Sequence, residues 1–88
     1  MDTINHPTPV IIYSAAWCAF CKTEKQSLEH LGVTFEERDI ESDPSVMQEL
    51  LDKSGAQTVP VTDIDGTIIR GFDRAKLDAT LKEKGLLK

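Results

Sequence analysis

Eighty-eight residues suffice for one domain around one core, and 40% apolar content suits a globular chain better than a disordered one. A formal net charge of −5 argues against a nucleic-acid or anionic-membrane binder, since both need a basic stripe and none is present. No apolar run nears the roughly 20 residues that cross a bilayer. The start lacks the basic and apolar blocks of a secretory signal, so residues 1–9 are predicted as a flexible lead-in and 10–88 as the domain.

Val10-Ile11-Ile12-Tyr13, a β-branched and aromatic run after Pro9, predicts a buried first strand. From Ala19 to about Leu31 the pattern turns helical. Phe20, Leu28 and Leu31 are its apolar positions, Lys22, Glu24, Lys25 and Glu29 lie between them, and Gly32 supplies the stop. A second strand is predicted within Val33–Ile40. Its alternation is imperfect, which suits an edge, and Glu36-Glu37-Arg38-Asp39 is expected as a solvated face. Asp43 followed by Pro44 starts a second helix as cap and first residue, Val46, Met47, Leu50 and Leu51 follow at helical spacing, and Ser54-Gly55 ends it.

Gln57-Thr58-Val59-Pro60 is a loop. Val61–Ile64 and Thr67–Arg70 flank Asp65-Gly66, a strong hairpin signal. Asp73 caps a last helix with Leu77, Leu81, Ala75 and Thr80 inward; Gly85 closes it and Leu86-Leu87-Lys88 trails off. Tyr13 and Phe35 are expected in the core. Asp63 is expected to face solvent, its rival reading being a buried carboxylate serving proton transfer. The order β-α-β-α-β-β-α predicts an α/β fold, a four-stranded mixed sheet with helices on both faces.

Trp17-Cys18-Ala19-Phe20-Cys21 lies where the first strand feeds the first helix. Two cysteines three apart on a helical turn project to one side, close enough for a disulfide whose tiny loop would add little stability. Such a bond suits switching. A sulfur at a helix N-terminus meets free N–H groups and the positive end of the dipole, which lower a thiol pKa from about 8.5 towards roughly 3.5–7.5. Lys22 and Lys25 add charge nearby. Cys18 is therefore expected as nucleophile and Cys21 as the thiol that resolves the mixed disulfide. Competing readings are an inert core pair, a structural disulfide, and a zinc half-site. The last needs two further ligands, and His6 and His30 have no finger spacing. Two cysteines and no secretory signal point to the cytoplasm.

Cys18-Ala19-Phe20-Cys21, Thr58-Val59-Pro60 before the hairpin, and Gly71-Phe72-Asp73 opening the last helix together resemble glutaredoxin, a branch of the thioredoxin superfamily, over about residues 10–84. The resemblance implies a thioredoxin fold and a cis Val59–Pro60 bond beside the cysteines. It also implies that the Val59 backbone pairs with a substrate chain. Gln57 and Asp73 match positions that contact glutathione in the family. There are departures. Ala19-Phe20 stands where many glutaredoxins have Pro-Tyr, Ala15 where many have a lysine for a glutathione carboxylate, and Arg70-Gly71 where many have Gly-Gly. Trp17-Cys18 is more like thioredoxin. Gly71-Phe72 is similar to the small redoxins that feed ribonucleotide reductase and draw on thioredoxin reductase, and to redoxins that use mycothiol.

The expected function is reduction of protein disulfides, or of mixed disulfides with low-molecular-weight thiols, by a monomer. Trp17, Phe20, Gln57, Thr58, Val59, Pro60, Gly71, Phe72 and Asp73 are the expected substrate contacts. No metal and no tightly bound cofactor are expected. Glutathione or mycothiol would be co-substrate, and disulfide-bearing proteins such as ribonucleotide reductase, with thioredoxin reductase, would be partners. Two rivals come from other classes: an iron–sulfur or zinc-binding module, and a non-catalytic adaptor using the Trp17 and Phe20 face.

Overall fold

The computed structural model describes residues 9–87. The expected lead-in, His6 included, lies outside the described residues apart from Pro9. The elements follow the expected order: β1 (Val10–Ser14), α1 (Ala19–His30), β2 (Glu36–Asp39), α2 (Pro44–Ser54), β3 (Val61–Ile64), β4 (Thr67–Arg70) and α3 (Arg74–Glu83). The strands form one mixed sheet in the order β2-β1-β3-β4. β1 and β2 are parallel, with α1 as the crossover such a pair requires. β3 runs antiparallel to β1, setting Tyr13 beside Val61, and β4 antiparallel to β3, setting Val61 beside Arg70. Between β3 and β4, Asp65 (φ 49°) and Gly66 (φ 96°) take the left-handed conformations that a two-residue hairpin turn demands.

Alternation along the strands splits the core across the sheet. On one face Val10, Ile64 and Ile69 meet Leu28 of α1 and Leu77 and Leu81 of α3. On the other, Tyr13 and Val61 meet Leu50 of α2. Each fully buried Leu or Ile contributes roughly 1.5–3 kcal/mol. Among the described residues no helix is long and apolar enough to cross a membrane.

The helix ends are built as expected. Asp43 accepts the Ser45 N–H at 2.8 Å, and Gly55 (φ 73°) ends α2 with its N–H on the Leu51 carbonyl. Asp73 accepts the Lys76 N–H at 3.1 Å to start α3.

β2, Glu36–Asp39, lies within the expected stretch, and Val33 before it belongs to the end of α1: its N–H donates to the Leu28 carbonyl and that of Gly32 (φ 74°) to Glu29, and Val33 and Leu28 share a core cluster. Three expectations need correction. Glu36, Arg38 and Asp39 are half-buried, not a freely solvated face, because Arg38 is tied to Glu36 and to Glu49 of α2. Ala75 is exposed; it lies two residues before Leu77, on the far side of a helix with 3.6 residues per turn. Leu86 and Leu87 do not trail off. The Leu86 N–H donates to the Leu81 carbonyl after Gly85, and both leucines pack on the face covered by α1 and α3.

Candidate active site

β1 ends at Ser14 and α1 begins at Ala19, so the intervening residues sit at the C-terminal edge of the sheet's inner strand. Cys18 is the N-cap of α1, with extended backbone (φ −92°, ψ 108°). Its Sγ accepts the Cys21 N–H at 3.1 Å, and its own N–H donates to the Ala15 carbonyl at 3.1 Å. The sulfur thus takes the place that a serine or aspartate oxygen usually holds. Cys21 lies one turn on, and the two are joined as a disulfide with their Cα atoms 5.3 Å apart. Cys18 is 9% exposed and Cys21 1%; the first borders solvent and the second is sealed. Trp17 and Phe20 stand out at 67% and 68%. The Trp17 indole Nε1–H donates to Glu41, in the loop after β2, at 3.1 Å.

Strand direction gathers the other motif residues at this edge. Because β3 is antiparallel to β1, Pro60 just before it lies at the same end as Cys18. Because β4 is antiparallel to β3, Gly71 returns there too. The Gly71 N–H donates to the Pro60 carbonyl at 2.8 Å, closing the pair. Val59–Pro60 is cis. Val59 is half-buried and packs on the cluster holding both cysteines. Gln57, Thr58 and Asp73 are exposed, with Asp73 also serving as the cap of α3. Phe72 is half-buried and packs against the cluster of Leu28, Leu77 and Leu81. Lys22 is exposed, whereas Lys25 is committed to Glu37 at 2.6 Å. Among the described residues no three His, Cys, Asp or Glu side chains converge to hold a metal.

Two carboxyls lie where the sequence did not put them. Asp63, expected in solvent, is 8% exposed. It accepts from Lys53 Nζ at 2.7 Å and from the Gly66 N–H at 2.8 Å, so it anchors the hairpin turn to α2. Burial works against the Lys53 charge, but Asp63 and Tyr13 outweigh it and hold that ammonium above its ordinary range. Glu24, read from sequence as a polar position of the first helix, has no exposure. Its Oε2 accepts the Thr62 hydroxyl, and its Oε1 is buried with no partner among the described residues. Burial pushes this carboxyl up to about 7, against the lowering effect of Thr62. The signal was available: Glu24 falls on the stripe of Cys21, Leu28 and Leu31.

The glutaredoxin family model matches residues 10–69. A glutaredoxin of Pseudomonas aeruginosa is 40% identical over 80 residues, 83% of this chain and 95% of that relative. A glutaredoxin structure from Archaeoglobus fulgidus is similar with a TM-score of 0.79 at 25% identity, over 85% of this chain and 87% of its own. A buckwheat glutaredoxin–glutathione complex is similar with a TM-score of 0.74 at 25% identity, over 92% and 83%. The architecture is the thioredoxin fold.

Proposed function

The chain belongs to the glutaredoxin family, and on that premise we propose that it reduces disulfides in two exchanges, with Cys18 as nucleophile and Cys21 as resolving thiol. It is a thiol–disulfide oxidoreductase. The observation that carries the division of labour is the asymmetry of the pair. Cys18 caps α1 at the protein surface, and Cys21 is buried a turn inside. In the reduced protein a thiolate at Cys18 keeps the helix N-terminus as its counter-charge, which raises the fraction of attacking anion near neutrality. Cys18 attacks the substrate disulfide and holds one half of it. Cys21 then attacks Cys18 and releases that half, leaving the internal disulfide.

Protein disulfides and mixed disulfides are the substrates. Trp17 and Phe20 offer apolar contact on either side of Cys18, and the Val59 backbone offers strand pairing to the incoming chain. Gln57 and Asp73 remain for the polar end of a small thiol. Ala15 is a buried methyl where many glutaredoxins carry a lysine for a glutathione carboxylate. Glutathione is therefore the poorer reductant, and thioredoxin reductase or mycothiol the better one.

The test uses serine variants and three reductants. Cys18→Ser abolishes turnover, and Cys21→Ser accumulates a mixed disulfide visible by mass. Full dithiol activity in Cys18→Ser would overturn the assignment. The oxidised protein is then offered to NADPH with thioredoxin reductase, to mycothiol and to glutathione; preferential reduction by glutathione would remove the argument from Ala15.

A further inference from the structure

The buried face of α1 runs through Cys21, Glu24 and Leu28. A leucine there is what packing asks for; a carboxyl is not. Glu24 stands three residues after Cys21, which puts their Cβ atoms roughly 5–6 Å apart on one side of the helix. A thiol and a carboxylate bridge that span directly or through one water. The Thr62 hydroxyl fixes Oε2 from β3 and leaves Oε1 buried with no partner among the described residues. An unsatisfied buried oxygen costs about 1–3 kcal/mol, so an acid kept only for stability would be satisfied at both oxygens or replaced by an apolar side chain.

Among the described residues Glu24 has no ion-pair partner, and the other carboxyl oxygen buried without a partner belongs to Asp78 of α3, whose second oxygen lies 4.0 Å from Arg74. β1, β3, β4 and α3 turn Val10, Ile64, Ile69, Leu77 and Leu81 towards the Leu28 end of this face, and β3 brings Thr62 to Glu24. On α1 itself, Lys22 is exposed and Lys25 is bound to Glu37. The reactive group on the same face, one turn away, is the Cys21 sulfur.

We propose that Glu24 is the proton acceptor for Cys21, taking the thiol proton as that sulfur attacks the mixed disulfide and returning it when the dithiol is restored. The proposal rests on the assignment of Cys18 and Cys21 above. Cys21 is sealed from water, so its proton needs an internal destination. In the resolving step the Cys21 S–H proton passes to the Glu24 carboxylate. The Cys21 sulfur bonds to the Cys18 sulfur, the bond from Cys18 to the substrate sulfur breaks, and the departing thiolate takes a proton from solvent. The two electrons that reduce the substrate come from the dithiol. When a reducing thiol later opens the internal disulfide at Cys18, Cys21 leaves as thiolate and recovers the proton from Glu24. The carboxyl's position near neutrality lets it serve in both directions.

The experiment mixes reduced protein with an aromatic disulfide whose released thiolate absorbs visible light. Attack by Cys18 gives a first burst of colour and resolution by Cys21 a second. In Glu24→Gln the second phase slows at least about tenfold relative to the first near neutrality, and its pH profile moves up to follow the thiol's own ionisation. Glu24→Asp recovers part of the rate. An unchanged second phase and pH profile in Glu24→Gln would overturn the proposal. Loss of the second phase in Cys21→Ser checks the cysteine assignment separately. A difference infrared spectrum of oxidised minus reduced wild-type protein needs no variant; it should show a protonated-carboxyl band that changes with redox state. A spectrum without that band would also overturn the proposal.

Discussion

Replacing Glu24 with glutamine should flatten the dependence of folding stability on pH. In the folded chain burial lifts this carboxyl from an ordinary 4.5 to about 7. Between those two values the native state keeps a proton that the unfolded chain has already released. The native state binds more protons there, so stability falls as pH rises through the window and levels off above it. At about 1.4 kcal/mol for each pH unit spanned, the loss comes to about 3 kcal/mol.

At more acid pH the sign reverses. Glu37 is held below its ordinary range by Lys25 and Ser14. Glu49 is held low as well, because Tyr13 and Arg38 outweigh its burial. Protonating these carboxylates removes stability as pH falls, so the maximum should lie near the ordinary carboxyl range. The substituted glutamine would stay neutral throughout and could still accept from Thr62. Its amide would face the unpartnered position of Oε1 at a constant cost of roughly 1–3 kcal/mol. The slope is therefore diagnostic and the absolute stability is not. Urea unfolding of the oxidised wild type and Glu24→Gln, from about pH 5 to about pH 8, reads it directly. Parallel curves for the two proteins would refute the reasoning.

Trp17→Ala and Phe20→Ala remove exposed side chains, so stability should move by no more than about 0.5 kcal/mol. KM for a protein disulfide should rise more than KM for a small one, as measured by steady-state turnover on both. Asp73→Ala removes the cap of α3 and should cost about 1 kcal/mol in denaturant unfolding, while Asp73→Asn retains most of that. A KM for a small-thiol mixed disulfide that rises in Asp73→Asn would separate binding from capping. Asp63→Ala strands the Gly66 N–H and leaves Lys53 with Glu49 alone as carboxylate partner, for roughly 1–3 kcal/mol by the same assay, and Asp63→Asn, which can still accept from Gly66, should cost less.

The element order was legible because its punctuation is local. Asp43-Pro44, Asp65-Gly66, Asp73 and Gly32 each act through their own backbone or the next turn, and each does so in the structure. The cysteine pair was legible for the same reason, since a strand–helix junction and a three-residue spacing are both written in one stretch. The failures involve partners distant in sequence. Asp63 is buried because Lys53 reaches it from α2, and Leu86 and Leu87 are held because α1 and α3 leave a shared apolar face open to them. Neither partner is visible from the residue itself. The cis Val59–Pro60 bond came from the family resemblance, because the residue pair alone favours trans. Glu24 differs from the others: its place on an apolar stripe is readable, but an acidic residue flanked by Lys22 and Lys25 looks like an ordinary surface charge.

Since the Cys18 sulfur receives the Cys21 amide, the catalytic atom and the knot that starts the helix are one object. Serine substitution ties that knot again through oxygen and alanine leaves it undone, so an inert serine enzyme would testify to lost chemistry with the scaffold intact. The Cys21 amide should also serve as a resident spectator. Its deuterium exchange, compared between the oxidised protein and the mixed disulfide trapped in Cys21→Ser, would register whether the sulfur is idle or engaged with a substrate.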